Sequence, residues 1–137
     1  MNLDAARAIV ANQHHAVLAT RRADGSVQMS PVTAGVDAAG RVIISSRLTA
    51  YKVKNLRRNP SASVCVFPDT FYGGQWVQID GAATIVDLPE AMDPLIDYYR
   101  RVGGEHPDWD DYRAAMERDQ RVLIRITPDR AGPDRSG

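Results

Sequence analysis

Hydroxyl and basic side chains crowd into one short stretch of this chain. Ser45, Ser46 and Thr49 stand with Arg47 and Lys52 directly after the apolar run Val42, Ile43, Ile44. That run reads as a buried strand, and from Ala50 the spacing becomes that of a helix in which Ala50, Val53 and Leu56 or Arg57 share one side. A strand feeding a helix start sets unpaired N–H groups and the positive end of the helix dipole beside these side chains, and that setting attracts a phosphate. On spacing alone a second reading stays open. Thr49 is then an ordinary N-cap and residues 52–58 a solvated face. Lys54, Arg57 and Arg58 complement the negative helix end before Asn59 and Pro60 stop it.

The other reactive side chains form no comparable group. His14 and His15 are adjacent, so in a strand they point to opposite faces, and His106 precedes a proline in a loop; no metal site is expected. Cys65 alternates with apolar residues in 61–67 and reads as a quiet thiol in or near the core. No nucleophile, base and orienting acid assemble, so no catalytic residue is assigned. Glu105, His106, Asp108 and Trp109 are expected to anchor a helix start. Tyr51, Phe71 and Tyr72 either line a substrate pocket or pack a loop.

Strands in hairpins, with short helices between them, must position these groups. Residues 3–13 read as a helix burying Leu3, Ala6, Ile9 and Val10. Residues 14–20 and 27–33 form a first hairpin around an Asp24-Gly25 turn. Pro31 has no N–H for a ladder, so its strand is bulged there or exposed along an edge, where a ligand can approach. Strands follow over 41–46, 61–67 and 75–86, with Gly81 marking a bend or bulge. A helix over 89–102 carries Met92, Leu95, Ile96 and Tyr99 on its apolar side; Asp108 caps another that runs through Glu117. Residues 122–127 form the last strand, and the Gly- and Pro-containing tail over 128–137 is expected to fray. Such an order favours a small, mainly β barrel over a parallel α/β sheet.

Composition sets the outer bounds. With 137 residues, 44% of them hydrophobic, the chain has the size of one domain able to bury a core, and a single domain over 1–137 is expected. Seventeen basic and 17 acidic residues cancel, so no global field draws the chain to nucleic acid or an anionic membrane, and any anion site is local. One cysteine excludes an internal disulfide and fits a reducing compartment. Neither a signal sequence nor an apolar run of spanning length is seen, so a cytoplasmic protein is expected.

The block Lys52-Val53-Lys54-Asn55-Leu56-Arg57-Arg58-Asn59-Pro60 closely resembles the K-x-x-N-L-R-R-D-P segment of the split-barrel flavin and deazaflavin oxidoreductases related to pyridoxamine 5′-phosphate oxidase. Val17 to Thr20 with Asp24-Gly25, Met29 to Val32, and Asp80 to Ala83 are similar to that family in its usual order. The block from Gly104 to Arg113 resembles the branch, frequent in actinobacteria, whose members use the deazaflavin coenzyme F420 instead of FMN.

The resemblance implies a homodimeric split β-barrel with cofactor grooves at the subunit interface. Lys52 would bind the cofactor's phosphate with Asn55 beside it. Ser45, Ser46 and Arg47 would lie near its ribityl and phosphate portion. Gln28, Ser30, Pro31 and Val32 would line the ring, and Trp76 would wall the pocket from the partner subunit. Lys54, Arg57 and Arg58 could meet the acidic oligoglutamate tail of F420. Asn59 replaces the family's usual aspartate. Thr33-Ala34 stand where the family carries bulky aromatics, which is expected to open room over the ring. The activity implied is hydride transfer from reduced F420 to a small conjugated or imine-containing molecule. The alternatives are an FMN enzyme, an F420 carrier without turnover and, as the weakest choice, nucleic-acid binding through residues 52–58.

Overall fold

The computed structural model describes residues 1–70 and 73–134; the expected roles of Phe71 and Tyr72 fall outside them. In chain order the elements are α1 (Leu3–Asn12), β1 (His15–Arg21), β2 (Val27–Thr33), β3 (Gly35–Val36), β4 (Val42–Arg47) and α2 (Tyr51–Arg58). There follow β5 (Ser61–Phe67), β6 (Val77–Val86), α3 (Met92–Gly103), α4 (Trp109–Arg118) and β7 (Arg121–Gly132). The strands form one seven-stranded sheet in the order β2-β1-β5-β6-β7-β4-β3, antiparallel at every pair. It curls, because β2 at one edge comes into contact with β4 near the other. The fold is mainly β, as the hairpin pattern leads one to expect, and it is the split barrel that the resemblance implies.

Two apolar clusters lie on opposite faces of the sheet. Inside the curl, Val10 of α1 and Val53 and Leu56 of α2 pack on Leu18, Val42, Ile44, Val64, Ile79, Ile124 and Ile126. Outside it, Leu95, Ile96, Tyr98 and Tyr112 of α3 and α4 cover Ile43 and Leu123. Strands β4 and β7 are therefore buried on both faces, which is why 42–44 and 122–124 are unbroken apolar runs rather than alternating ones. Each large aliphatic side chain wholly removed from water here contributes roughly 1.5–3 kcal/mol.

Pro31 stands on β2, an edge strand, as its missing N–H requires. Gly81 sits at the expected bulge: the β6–β7 register shifts between Asp80 and Gly81. A Cβ on Gly81 would lie 2.1 Å from the Thr127 carbonyl oxygen, so only glycine allows this approach.

Three expectations fail locally. The tail does not fray at Pro128; β7 continues to Gly132 because Pro128 falls opposite Gly81 at the bulge and Arg130, Ala131 and Gly132 re-pair with Asp80, Ile79 and Gln78. Thr49 does not cap α2; Ala50 holds the N-cap position, with no side-chain hydrogen bond. On α3 Tyr99 packs against the outer cluster as expected, and Tyr98, which the spacing does not single out, is buried more deeply. Ala34 opens no room in a pocket: it is fully buried in the inner core, and its N–H bonds the His14 carbonyl.

Candidate functional site

A groove of about 950 Å³ opens where the curl brings the ends of β1, β2 and β5 opposite the rim of β4 and β7, with α3 and α4 along one side. One end is polar and cationic. Ser45, Ser46 and Arg47 close β4, Lys52 lies in the first turn of α2, and Arg121 opens β7 directly across the ladder from Arg47. Among the described residues no aspartate or glutamate lines the groove. Burial, and then the charge of Arg121, hold the Lys52 ammonium below its ordinary pKa. The Nε of Arg121 is buried without a hydrogen-bond partner.

The other end is aromatic. Tyr98, Tyr99, Tyr112 and Met116 of the helices face Pro31, Val32, Thr33 and Phe67. Here the polar atoms are satisfied: the Tyr98 hydroxyl donates to the Thr33 carbonyl at 2.8 Å, and that of Tyr112 to the Leu95 carbonyl at 2.8 Å. Burial, then the neighbouring Tyr98, push the Tyr112 pKa up to about 12, so it stays a neutral phenol at any working pH. Tyr99 meets Tyr112 edge-on at 5.1 Å and His106 at 5.0 Å. At the mouth, His15 Nδ1 lies 2.8 Å from a carboxylate oxygen of Asp69, and both side chains are exposed.

Of the residues singled out in the sequence, Ser45, Ser46, Arg47, Lys52, Pro31 and Val32 come together around this groove. Gln28, Ser30, Asn55 and Trp76 do not line it. Asn55 is buried, donates to the Thr20 hydroxyl at 3.1 Å and accepts from Arg58 at 2.9 Å, so it ties α2 to β1 rather than facing the cavity. Gln28 lies beside the Thr20 hydroxyl, and the Ser30 hydroxyl is buried without a partner. Trp76 borders a separate cavity of about 300 Å³ with Asp80 and Arg130.

The 104–113 block builds helix starts, as expected. Asp108 caps α4 by accepting from Asp111 N, the Glu105 carboxylate accepts from Trp109 and Arg100, and Arg100 lies over the Trp109 ring. Spacing along the chain singles out none of Arg121, Tyr98, Tyr112 and Met116. Tyr112 does stand inside the 104–113 block, but Arg121 merely flanks an apolar strand in the sequence. Among the described residues no cluster of metal-ligating side chains forms, and no helix is long and apolar enough to cross a membrane.

A groove with a partly buried cationic end and an aromatic end suits a molecule that joins an anionic group to a planar ring. Residues 3–133 match the family described as pyridoxamine 5′-phosphate oxidase. The chain belongs to that family. Its split barrel recurs in solved structures. The conserved hypothetical protein Rv2991 of Mycobacterium tuberculosis is similar over 96% of this chain and 82% of its own, with a TM-score of 0.77 at 26% identity. An F420 reductase is similar over 92% of this chain and 94% of its own, with a TM-score of 0.69 at 22% identity. A heme binding protein from Mycobacterium smegmatis shares the fold over 94% of this chain and 52% of its own, at a TM-score of 0.70 and 20% identity. Family membership carries a flavin-type oxidoreductase chemistry; the fold alone leaves the ligand open.

Proposed function

We propose that this chain is an oxidoreductase that binds the deazaflavin coenzyme F420 and delivers its hydride to a small conjugated or imine-containing organic molecule. The observation that carries this reading is the groove itself, with cations and, among the described residues, no lining carboxylate at one end and an aromatic wall at the other. The residues present fit the cofactor. Lys52, Arg47 and the Ser45 and Ser46 hydroxyls would hold its phosphate, and Pro31, Val32 and Thr33 would lie along the ring. When bound, reduced F420 supplies a hydride to an electron-poor carbon.

The chain contributes placement and exclusion of water. Tyr98 and Tyr112, their hydroxyls already committed to backbone carbonyls, present uncharged faces that shed solvent from the ring. The outer edge of β2 has no strand neighbour, so its free backbone groups are available to a polar ring edge. No lining side chain is assigned as the proton donor, and solvent at the open mouth of the groove would serve once hydride has been delivered.

The cations that could meet the acidic F420 tail are engaged elsewhere. Arg57 pairs with Asp87, Arg58 donates to the Arg21 carbonyl and to Asn55, and Lys54 stands near the Tyr51 ring. Within this reading the active form is a homodimer. Trp76 does not line the groove of its own chain and would meet the ring only of a second copy.

A fluorescence titration of the cofactor-free protein with F420 and, separately, FMN tests the reading. Tighter binding of F420, followed by oxidation of reduced F420 on addition of an electron-poor alkene or imine, is expected. Preference for FMN would overturn the deazaflavin assignment, and F420 binding without oxidation across a substrate panel would point to a carrier.

A further inference from the structure

Two arginines on β7, Arg121 and Arg125, each bury an Nε with no hydrogen-bond partner. Such a group costs about 1–3 kcal/mol unless something meets it. Their surroundings differ in sign. Arg125 borders a cavity of about 330 Å³ that Asp37, Asp93 and Asp97 also line, so the protein itself brings negative charge to it. Arg121 borders the large groove, whose described lining contains no carboxylate. It also faces Arg47 directly across the β4–β7 ladder, a like-charge pairing that strands normally avoid. Among the described residues no side chain lining the groove supplies a compensating charge, which leaves room for an anion from outside the chain.

We propose that Arg121 binds the anionic group of the ligand directly and completes a three-cation seat with Arg47 and Lys52. This rests on the reading of the groove as the cofactor site and adds a residue that neither the Lys52-to-Pro60 block nor its resemblance assigns. Arg121 stands where the cationic end meets the aromatic wall: its charge depresses the Lys52 pKa on one side and acts on the Tyr98 and Tyr112 phenols on the other. A guanidinium there offers a planar fork of donors to a phosphate or carboxylate oxygen pair. By gripping the anion at that point it also sets how far the attached ring slides toward Tyr98 and Tyr112.

The test is the F420 and FMN titration repeated on Arg121→Gln, Arg121→Lys and Arg125→Gln, each first checked for a cooperative thermal transition. Removing a charged hydrogen-bond donor is expected to weaken binding of the preferred cofactor about ten- to hundredfold in Arg121→Gln. Arg121→Lys keeps the charge without the fork and falls between, while Arg125→Gln binds as the wild type does. Affinity within about twofold of wild type in Arg121→Gln overturns the proposal. If Arg121→Gln does not fold, wild-type affinity in Arg121→Lys overturns it. If the wild type binds neither cofactor, the cofactor reading fails, and inorganic phosphate followed by ³¹P line broadening decides Arg121 separately. Broadening that disappears in the Arg121 variant sustains the seat, and broadening that is absent or unchanged refutes it.

Discussion

The two ends of the groove are built on opposite principles. At the aromatic end the polar atoms of Tyr98 and Tyr112 are spoken for by the carbonyls of Thr33 and Leu95, and these side chains belong to the outer apolar cluster as much as to the cavity. At the cationic end Lys52 is partly desolvated beside Arg121, whose Nε has no partner, and no described carboxylate lines the space. One end is structure that happens to face a cavity. The other is an arrangement that stability alone would disfavour, and such local departures from good packing and pairing mark where a ligand completes the molecule.

Lys52→Ala should separate the two ends most sharply. Cofactor affinity is expected to fall about ten- to hundredfold, the cost of losing a charged donor, with the thermal midpoint unchanged or slightly higher because repulsion with Arg121 is relieved. A large drop in midpoint with affinity intact would reverse the comparison.

Tyr112→Phe should do the opposite. It removes a buried hydrogen bond to the Leu95 carbonyl, so unfolding free energy in urea should fall by about 0.5–1.5 kcal/mol while cofactor affinity moves by less than about threefold. Loss of affinity without loss of stability would make Tyr112 a ligand contact rather than a wall.

A smaller effect is expected from pH. The folded state holds the Lys52 pKa below 10.5, so as pH rises through the window between the folded value and 10.5 the unfolded chain binds more protons and stability increases. Denaturation at pH 8 and pH 10 should therefore show a more positive stability change in the wild type than in Lys52→Met. An equal change in both proteins would mean that Lys52 is not desolvated as described. A saturating anion should flatten the difference, because it restores a partner to the protonated lysine.

Most of the cationic end is legible in the sequence. Ser45, Ser46, Arg47 and Lys52 lie within one strand-to-helix junction, where spacing along the chain is also spacing in space. Arg121 belongs to the same site only because β7 pairs with β4, and nothing local distinguishes an arginine at the head of an apolar strand. The resemblance sets Asn55 beside Lys52 at the phosphate, yet the helix turns it inward to Thr20. Periodicity finds Tyr99 of α3 but not the more deeply buried Tyr98, since the two are adjacent and how far each is covered depends on how the helix is rotated against β4 and β7. Pro and Gly composition misleads about the tail because it speaks for the isolated segment, while pairing with β6 overrides it.

By itself the sequence determined the mainly β fold, an irregularity or edge at Pro31, a bend or bulge at Gly81 and the hydroxyl-and-lysine junction at the end of β4. Each follows from backbone chemistry or from side chains a few residues apart. The tertiary structure alone decided that the junction is cationic without compensation, that α3 and α4 wall the groove, and that Trp76 and Ala34 stay out of it. These are properties of strand order, curl and helix rotation, which arise from contacts between residues distant in the chain.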